Sequence, residues 1–491
     1  MGAGIIALAE LLQHVELLET RGDLSVRINK VEVDSRQITK GDLFIAVPGY
    51  AADGTQFVAD ALSRGAAAIL STRPVEAPGV CNVVVKDIRS TVAKIAARYF
   101  DYPAHQLRLI GITGTNGKTT VTHLLRSILE ASGESTGLIG TLGYYVGAHS
   151  YPPVNTTPGP LLLEKLLAEM RDHNCHSAVM EVSSHALAMS RVLGLEFAAV
   201  GITNVSQDHL DFHPTFEDYR ATNGRLLAQL KAEAGVAVQN RDDESYDYFA
   251  GQCRGQHLSY SFDKQNADFY LSDLSIAATG SQFTLHTPKG EVEVKIDLLG
   301  RFNVANALCA AAVAGALEIS PEQIAAGLSA QRFVNGRAEP VEAGQPFTVL
   351  VDYAHTPDAL AKIGETAREF CKGRLIMLFG CGGDRDRTKR APMGAAACAN
   401  ADLVVVTSDN PRSEDPLAII EDIKPGLNNS TEVLIEPDRE KAIKQALDLC
   451  TDRDLLVVAG KGHETYQIIG DQRLRFDDRE VIIAHLKERY R

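Results

Sequence analysis

"LRLIGITGTNGKTT", residues 107–120, decides how this chain is to be read. Its first half is a run of apolar and β-branched residues, which suits a strand, and its second half opens a helix. Glycines and a Lys-Thr pair occupy the junction, the context a phosphate-binding loop requires. Gly114 and Gly117 let the backbone turn N–H groups inward, with Thr115 and Asn116 between them. Lys118 supplies a point charge for β/γ-phosphates, and Thr119, followed by Thr120, offers a hydroxyl to Mg²⁺. The stretch departs from G-x-x-x-x-G-K-[ST] at position 112, which is Ile. A plain glycine turn is the bland alternative, and Lys-Thr at a strand-to-helix junction argues against it.

Working outward, strands and helices alternate. "STGLIGT", "GPLLLEKLLAEMRDHN", "SAVMEVS" and "AAVGITNV" follow the loop as a βαβ series of a doubly wound sheet. Residues 268–300 change to alternating polar and apolar positions with glycine turns, so an antiparallel flank is expected. A second α/β series fills the end of the chain, and "LVVVTSDNPRSEDP", residues 403–416, leaves one of its strands through a mixed-charge loop. In open α/β sheets, ligands gather beyond the carboxyl ends of such strands. Residues 1–106 form a smaller α/β unit, and the Pro-containing stretch "YFDYPAHQ" marks its end. The expected fold is α/β in three domains: 1–106, a central P-loop-type, mostly parallel sheet over 107–335, and a Rossmann-like unit over 336–491.

Composition narrows the function classes. A net charge of −14 argues against general nucleic-acid binding, while a local basic pocket for one phosphorylated ligand stays open. Eight cysteines are scattered without C-x-x-C or zinc spacing, and read as reduced packing residues. "MGAGIIALAELLQHVELLE" reads as an amphipathic helix without a basic leader or cleavage site, too short in apolar length to span a membrane. A cytoplasmic, monomeric enzyme acting on small molecules is the expectation. Further polar residues cluster at strand ends: Glu181 in "MEVSSH", and Asp208, His209 and Asp211 in "TNVSQDHLDFH". Singly, each resembles a capped turn. Together they put acids, hydroxyls and imidazoles on one rim with Lys118, where Mg-ATP and an anionic substrate would meet.

"GTNGKTT", "NTTP", "EVSSH", "TNVSQDHLDFH", "FNVANALCA", "VNGRAE", "VDYAHTPDAL", "FGCGGDRDRTKR", "SDNPR" and "GKGHETYQ" occur in the order found in the Mur ligases, which the chain resembles over essentially its whole length. The resemblance implies ATP-dependent addition of meso-2,6-diaminopimelate to UDP-N-acetylmuramoyl-L-alanyl-D-glutamate through an acyl phosphate, in peptidoglycan precursor synthesis. It assigns Gly114 to Thr120, Asn303, Arg337 and Asp352 to ATP, and Thr119, Glu181 and His209 to Mg²⁺. Lys118, Glu181 and His209 are the implied catalytic set. Val33, Ser35 and Tyr50, Ala51 and Ala52 match the uridine-end site; Asn155, Thr156, Thr157, Ser183, Met189 and Arg191 match the muramoyl-dipeptide site, where Met189 replaces a frequent glutamine. Arg385, Asp409, Asn410, Pro411, Arg412, Gly460 and Glu464 match the diaminopimelate pocket, in which the Arg412 fork suits the carboxylate that lysine lacks.

One position breaks with the family. Asn223 stands where most Mur ligases carry a lysine that becomes carbamylated and helps hold a second Mg²⁺. An amide cannot react with CO₂, and Lys231, eight residues along a helix, would lie about 12 Å away. A contact from Asn223 to metal, directly or through water, is the expectation. The resemblance also implies that the third domain moves to close the site, hinged near residues 333–339. Two alternatives stand beside this reading: a paralogous ligase acting on another acid and amine, and a nucleotide-binding homologue without catalysis.

Overall fold

The computed structural model describes residues 4–49, 53–210, 212–264, 266–277, 279–428 and 430–490. Packing divides the chain into two compact units, one holding residues 1–260 with 266–268 and 309–324, the other holding the remainder.

In the first unit, a five-stranded sheet runs in the order Leu17–Arg21, Cys81–Val85, Ala68–Ser71, Leu43–Ile45, Val31–Glu32, with only the first strand antiparallel to its neighbour. The N-terminal helix expected over residues 1–19 is a correction. Among the described residues of this stretch only Leu8–Leu11 is α-helical, His14 adopts φ 67°, and Leu17–Arg21 pairs with Cys81–Val85 instead. Leu17 reaches the local core from this strand and Val15 from the segment before it, and a ladder of main-chain bonds outweighs the propensity of a short helix.

The larger sheet of this unit is built around Arg108–Thr113, a strand buried on both faces. Ser177–Glu181 lies parallel on one side of it and Ala199–Ile202 on the other. Thr136–Gly140 extends the first side and Val236–Asn240 the second, so the strand order reverses at Arg108–Thr113. That reversal opens a crevice at the carboxyl ends, the site of ligand binding in doubly wound sheets. Helix Lys118–Ala131 starts at this crevice, and its buried face, including Val121, Leu124, Leu125 and Ile128, closes on the sheet. Helix Pro160–Asp172 buries a carboxyl as well: Glu164 is 5% exposed, its Oε2 has no hydrogen-bond partner, and burial pushes its pKa up to about 7.

In the second unit, Phe269–Ala277, Gly280–Thr287 and Gly290–Ile296 form the expected antiparallel run. A separate six-stranded sheet runs Glu339–Pro340, Thr348–Asp352, Leu455–Ala459, Leu375–Phe379, Leu403–Val406, Glu432–Ile435, parallel apart from the first strand. Leu375–Phe379, Leu403–Val406 and Leu455–Ala459 are buried throughout, as continuous apolar runs in two-sided parallel sheets must be. Among the described residues, no helix is long and apolar enough to cross a membrane.

Candidate active site

The phosphate loop of the first unit is shaped by its backbone. Gly114 and Gly117 sit at φ 129° and 89°, and a Cβ on Gly114 would fall 2.2 Å from Thr203 Oγ1 and 2.7 Å from Asn204 O. Residues 203 and 204 brace the loop: Thr115 N–H donates to Asn204 O (2.7 Å), Asn116 N–H to Asn204 Oδ1 (3.1 Å), and Thr203 Oγ1 to Asn116 O (2.7 Å). Lys118 curls back over the turn, donating to Gly114 O (2.6 Å) and Thr115 O (2.8 Å). Its ammonium therefore stays at the loop.

At the end of the neighbouring strand, Glu181 is 1% exposed yet fully engaged. Thr119 Oγ1 donates to its Oε2 at 3.0 Å, Thr141 N–H to its Oε1 at 2.8 Å, and Thr141 Oγ1 to Oε2 at 3.1 Å. A hydroxyl and a carboxylate beside Lys118 are hard oxygen donors of the kind Mg²⁺ takes with phosphate oxygens and water, so the residues fit that ion. His209 adopts φ 55°, with Nε2 3.6 Å from Asp208 Oδ2. Among the described residues, no group of three or more His, Cys, Asp or Glu side chains forms a ready-made metal cage. Asp211 lies outside the described residues.

From Glu181 the polar network extends into the residues matched to the muramoyl dipeptide. Thr157 Oγ1 donates to Glu181 O (2.8 Å) and lies 3.3 Å from Ser183 Oγ, and Thr156 Oγ1 lies 3.0 Å from Thr141 Oγ1. Arg191 donates to Thr157 O (2.8 Å) and to Met189 Sδ (3.4 Å), and burial lowers its pKa. Met189 thus supports Arg191. Asn155 is exposed, but Tyr144, which the sequence reading missed, clamps its backbone: the phenol accepts from Val154 and Asn155 N–H and donates to Asn155 O (2.6 Å). Ser35 is buried and Val33 is 44% exposed. Tyr50, Ala51 and Ala52 lie outside the described residues.

The geometry at Asn223 corrects the expected metal contact. Its side chain is 0% exposed, its Oδ1 accepts from Thr113 Oγ1 (2.7 Å), and its Nδ2 donates to Tyr219 O (2.9 Å). The amide ties a helix to the end of the central strand rather than facing a ligand. Lys231 is not on the helix of Asn223, contrary to expectation: the α-helix ends at Gly224, a 3₁₀ turn covers Arg225–Gln229, and Lys231 lies beyond both.

In the second unit, Asn303 is buried, donating to Leu299 O (2.9 Å). Asp352 accepts N–H from Ala338 and Ala354, each at 2.7 Å, and burial raises its pKa against the pull of Arg337. Arg337 lies 4.7 Å over the Tyr353 ring.

The mixed-charge loop after Leu403–Val406 is a junction of three segments. Gly383 N–H donates to Asn410 O (3.0 Å), and a Cβ on Gly383 would meet Pro411 O at 1.9 Å. Gly460 sits at φ 110°, where a Cβ would fall 2.8 Å from Asp409 Oδ2. Arg412 adopts φ 53°, exchanges backbone bonds with Ile468 O (3.0 Å) and Gly470 N–H (2.7 Å), and rests Nη1 on Gly383 O (2.8 Å). Asn410 Nδ2 donates to Glu464 Oε2 at 2.8 Å. Arg385 is the outlying member, exposed and bonded to Asp384 O. Asp409, Asn410, Arg412, Gly460 and Glu464 therefore come together as one polar cluster.

Known proteins match the chain in all three regions. Residues 27–100 match the Mur ligase family catalytic domain, 112–314 the Mur ligase middle domain, and 336–462 the Mur ligase glutamate ligase domain. A UDP-N-acetylmuramoyl-L-alanyl-D-glutamate–2,6-diaminopimelate ligase of Gloeobacter violaceus is 46% identical over 98% of both chains. The ligase of the same name from Geobacillus thermodenitrificans is 44% identical over 94% of this chain and 95% of its own. A solved structure bearing that ligase name superposes with TM-score 0.69 at 31% identity, covering 99% of this chain and 100% of the other. MurF ligase from Thermotoga maritima, at 18% identity and TM-score 0.65 over 94% of this chain and 98% of its own, shares the fold. With its phosphate loop, its engaged glutamate and matches along nearly its whole length, the chain belongs to the Mur ligase family of ATP-dependent amide ligases.

Proposed function

We propose that this ligase joins meso-2,6-diaminopimelate to UDP-N-acetylmuramoyl-L-alanyl-D-glutamate, releasing ADP and phosphate, as a monomer in the cytoplasm. A carboxylate does not accept an amine directly. Transfer of the γ-phosphoryl group of ATP to the D-glutamyl side chain makes an acyl phosphate; the incoming amine attacks its carbonyl carbon, phosphate leaves, and the amine's proton goes to solvent or a nearby base. The chain contributes positioning and charge. Loop N–H groups between Gly114 and Thr120 cradle phosphate oxygens while Lys118 neutralises the transferring group. Thr119, Glu181 and His209 would hold Mg²⁺, which supplies further charge neutralisation when bound. Thr156, Thr157, Ser183 and Arg191 hold the acceptor dipeptide, and residues 1–106 its uridine end. Residues 336–491 hold the amine.

The observation that carries the choice of amine is the cluster joining Asp409–Arg412 to Gly460 and Glu464. Diaminopimelate ends in an ammonium and a carboxylate; Glu464 suits the first and Arg412 the second. Incubation with ATP, the UDP-muramoyl dipeptide and either diaminopimelate or L-lysine, read by phosphate release and product mass, tests this. A tripeptide product with diaminopimelate alone is expected; amide formation only with another acid or amine would favour a paralogous ligase. A non-catalytic role draws support from Asn223, and ATP binding without phosphate release under every substrate combination would establish it.

A further inference from the structure

We propose that Lys461 is a positioning residue of the amine pocket, one that never touches substrate but sets which way the Asn410 amide and the Glu464 carboxylate point. This rests on the pocket assignment given above. Lys461 is 0% exposed, which removes it from contact with any ligand, and a buried ammonium requires partners for its three N–H groups. It finds three: Tyr466 O at 2.5 Å, Glu464 Oε2 at 3.1 Å and Asn410 Oδ1 at 3.3 Å. The ring of Tyr466 lies 5.5 Å away.

The consequence for Asn410 is an unambiguous amide. Oδ1 accepts from Lys461 and from Ile468 N–H (2.9 Å), both of which are donors only, so Nδ2 must be the group that faces Glu464. Glu464 in turn takes Asn410 and Lys461 on the same oxygen, Oε2. Its Oε1 is left to accept from a substrate ammonium, on a side chain 14% exposed. Without the lysine, Asn410 loses one of the two donors that fix its orientation, and Glu464 loses the cation that holds Oε2 inward. Glu464 could then turn toward the guanidinium of Arg412 and compete with the substrate carboxylate. The lysine therefore guards selectivity for an amine that carries both charges at its far end.

The test is Lys461→Met, close in length and uncharged, assayed with ATP and the UDP-muramoyl dipeptide. The expected result is a KM for diaminopimelate raised about tenfold or more, with KM for ATP and for the dipeptide within about twofold of the parent. Discrimination against L-lysine should narrow. Glu464→Gln and the double variant complete the comparison, and the double variant should raise the diaminopimelate KM by less than the product of the single effects. Should Lys461→Met not fold, Lys461→Arg carries the same test, since it keeps the charge and changes the donor geometry. An unchanged diaminopimelate KM, a parallel rise in KM for ATP, or strictly multiplicative effects would overturn the proposal while leaving the pocket assignment standing. Failure of the unmutated enzyme to use diaminopimelate would overturn that assignment, and this proposal with it.

Discussion

The phosphate loop and the proposed amine pocket, both beyond the ends of parallel strands, are shaped by different means. At Gly114–Lys118 the shape comes from main chain: two glycines with positive φ, bonds to residues 203 and 204, and a lysine folded onto the carbonyls of its own turn. At Asp409–Arg412 the shape comes from side chains of three distant segments, tied through the buried groups Asn410 and Lys461. A shared reaction needs a shared loop, and that loop is compact in sequence. Selecting one amine needs directional groups at several points, which no short segment provides.

Four substitutions would break or sharpen this contrast. The largest effect belongs to the phosphate loop: Lys118→Met should lower kcat about 10³-fold, the scale for losing a preorganised charge at a transition state, measured by phosphate release at saturating substrates. Next is the frame of the amine pocket. Arg439 and Asp478 are a fully buried ion pair (2.7 Å), and Arg439 also donates to Ser408 O (3.3 Å) and Ala459 O (2.9 Å), at the ends of two pocket strands. Arg439→Met strands Asp478 and should cost about 3–5 kcal/mol of stability in denaturant melts. An effect below 1 kcal/mol would show that the side-chain frame is dispensable.

Glu164 provides a pH test in the first unit. Its folded pKa of about 7 lies above its unfolded value of 4.5, so the folded state holds a proton that the unfolded state has lost between those values. Stability should fall as pH rises from about 4.5 to 7, and Glu164→Gln should remove that fall, gaining up to about 3 kcal/mol at pH 8. Melting curves of both proteins at pH 5 and 8 would decide it. Arg412→Lys comes next, at about 1.5–3 kcal/mol in diaminopimelate kcat/KM with ATP binding unchanged, because a point charge replaces a fork. The smallest expected effect is none: with Asn223 spent on Thr113 and Tyr219, added bicarbonate should leave the rate of the unmutated enzyme unchanged. A rate that climbs with bicarbonate would point to a carbamylated lysine elsewhere.

The same contrast explains what was legible in the sequence. The loop at 111–120 and Glu181 could be read directly, since a glycine-rich turn and a strand-end acid are local signals. "SDNPR" could be placed at a strand end, but its partners at Gly383, Glu464 and Ile468 could not, because nothing local specifies pairings across 27 to 58 residues. Lys461 escaped for that reason in its bond to Asn410, and Tyr144 because a tyrosine in a strand carries no signal for the turn at Val154 and Asn155 that it clamps. Residues 1–19 misled because their apolar spacing suits a helix, and only the distant strand Cys81–Val85 makes extended pairing better. At Lys231 nothing in the sequence marks the end of the helix at Gly224, where the chain tightens into a 3₁₀ turn and leaves it.

The backbone of Arg412 carries a lesson for redesign. At φ 53°, with its N–H given to Ile468 and its carbonyl receiving Gly470 N–H, this residue is docked as part of a neighbouring hairpin, Tyr466–Ile469 with Gln472–Arg475. Grafting residues 408–412 alone into a ligase that uses a different amine would transplant the arginine without its aim. A working specificity swap has to move the loop and residues 466–470 as one cassette, and mutational drift in either piece is constrained by the other.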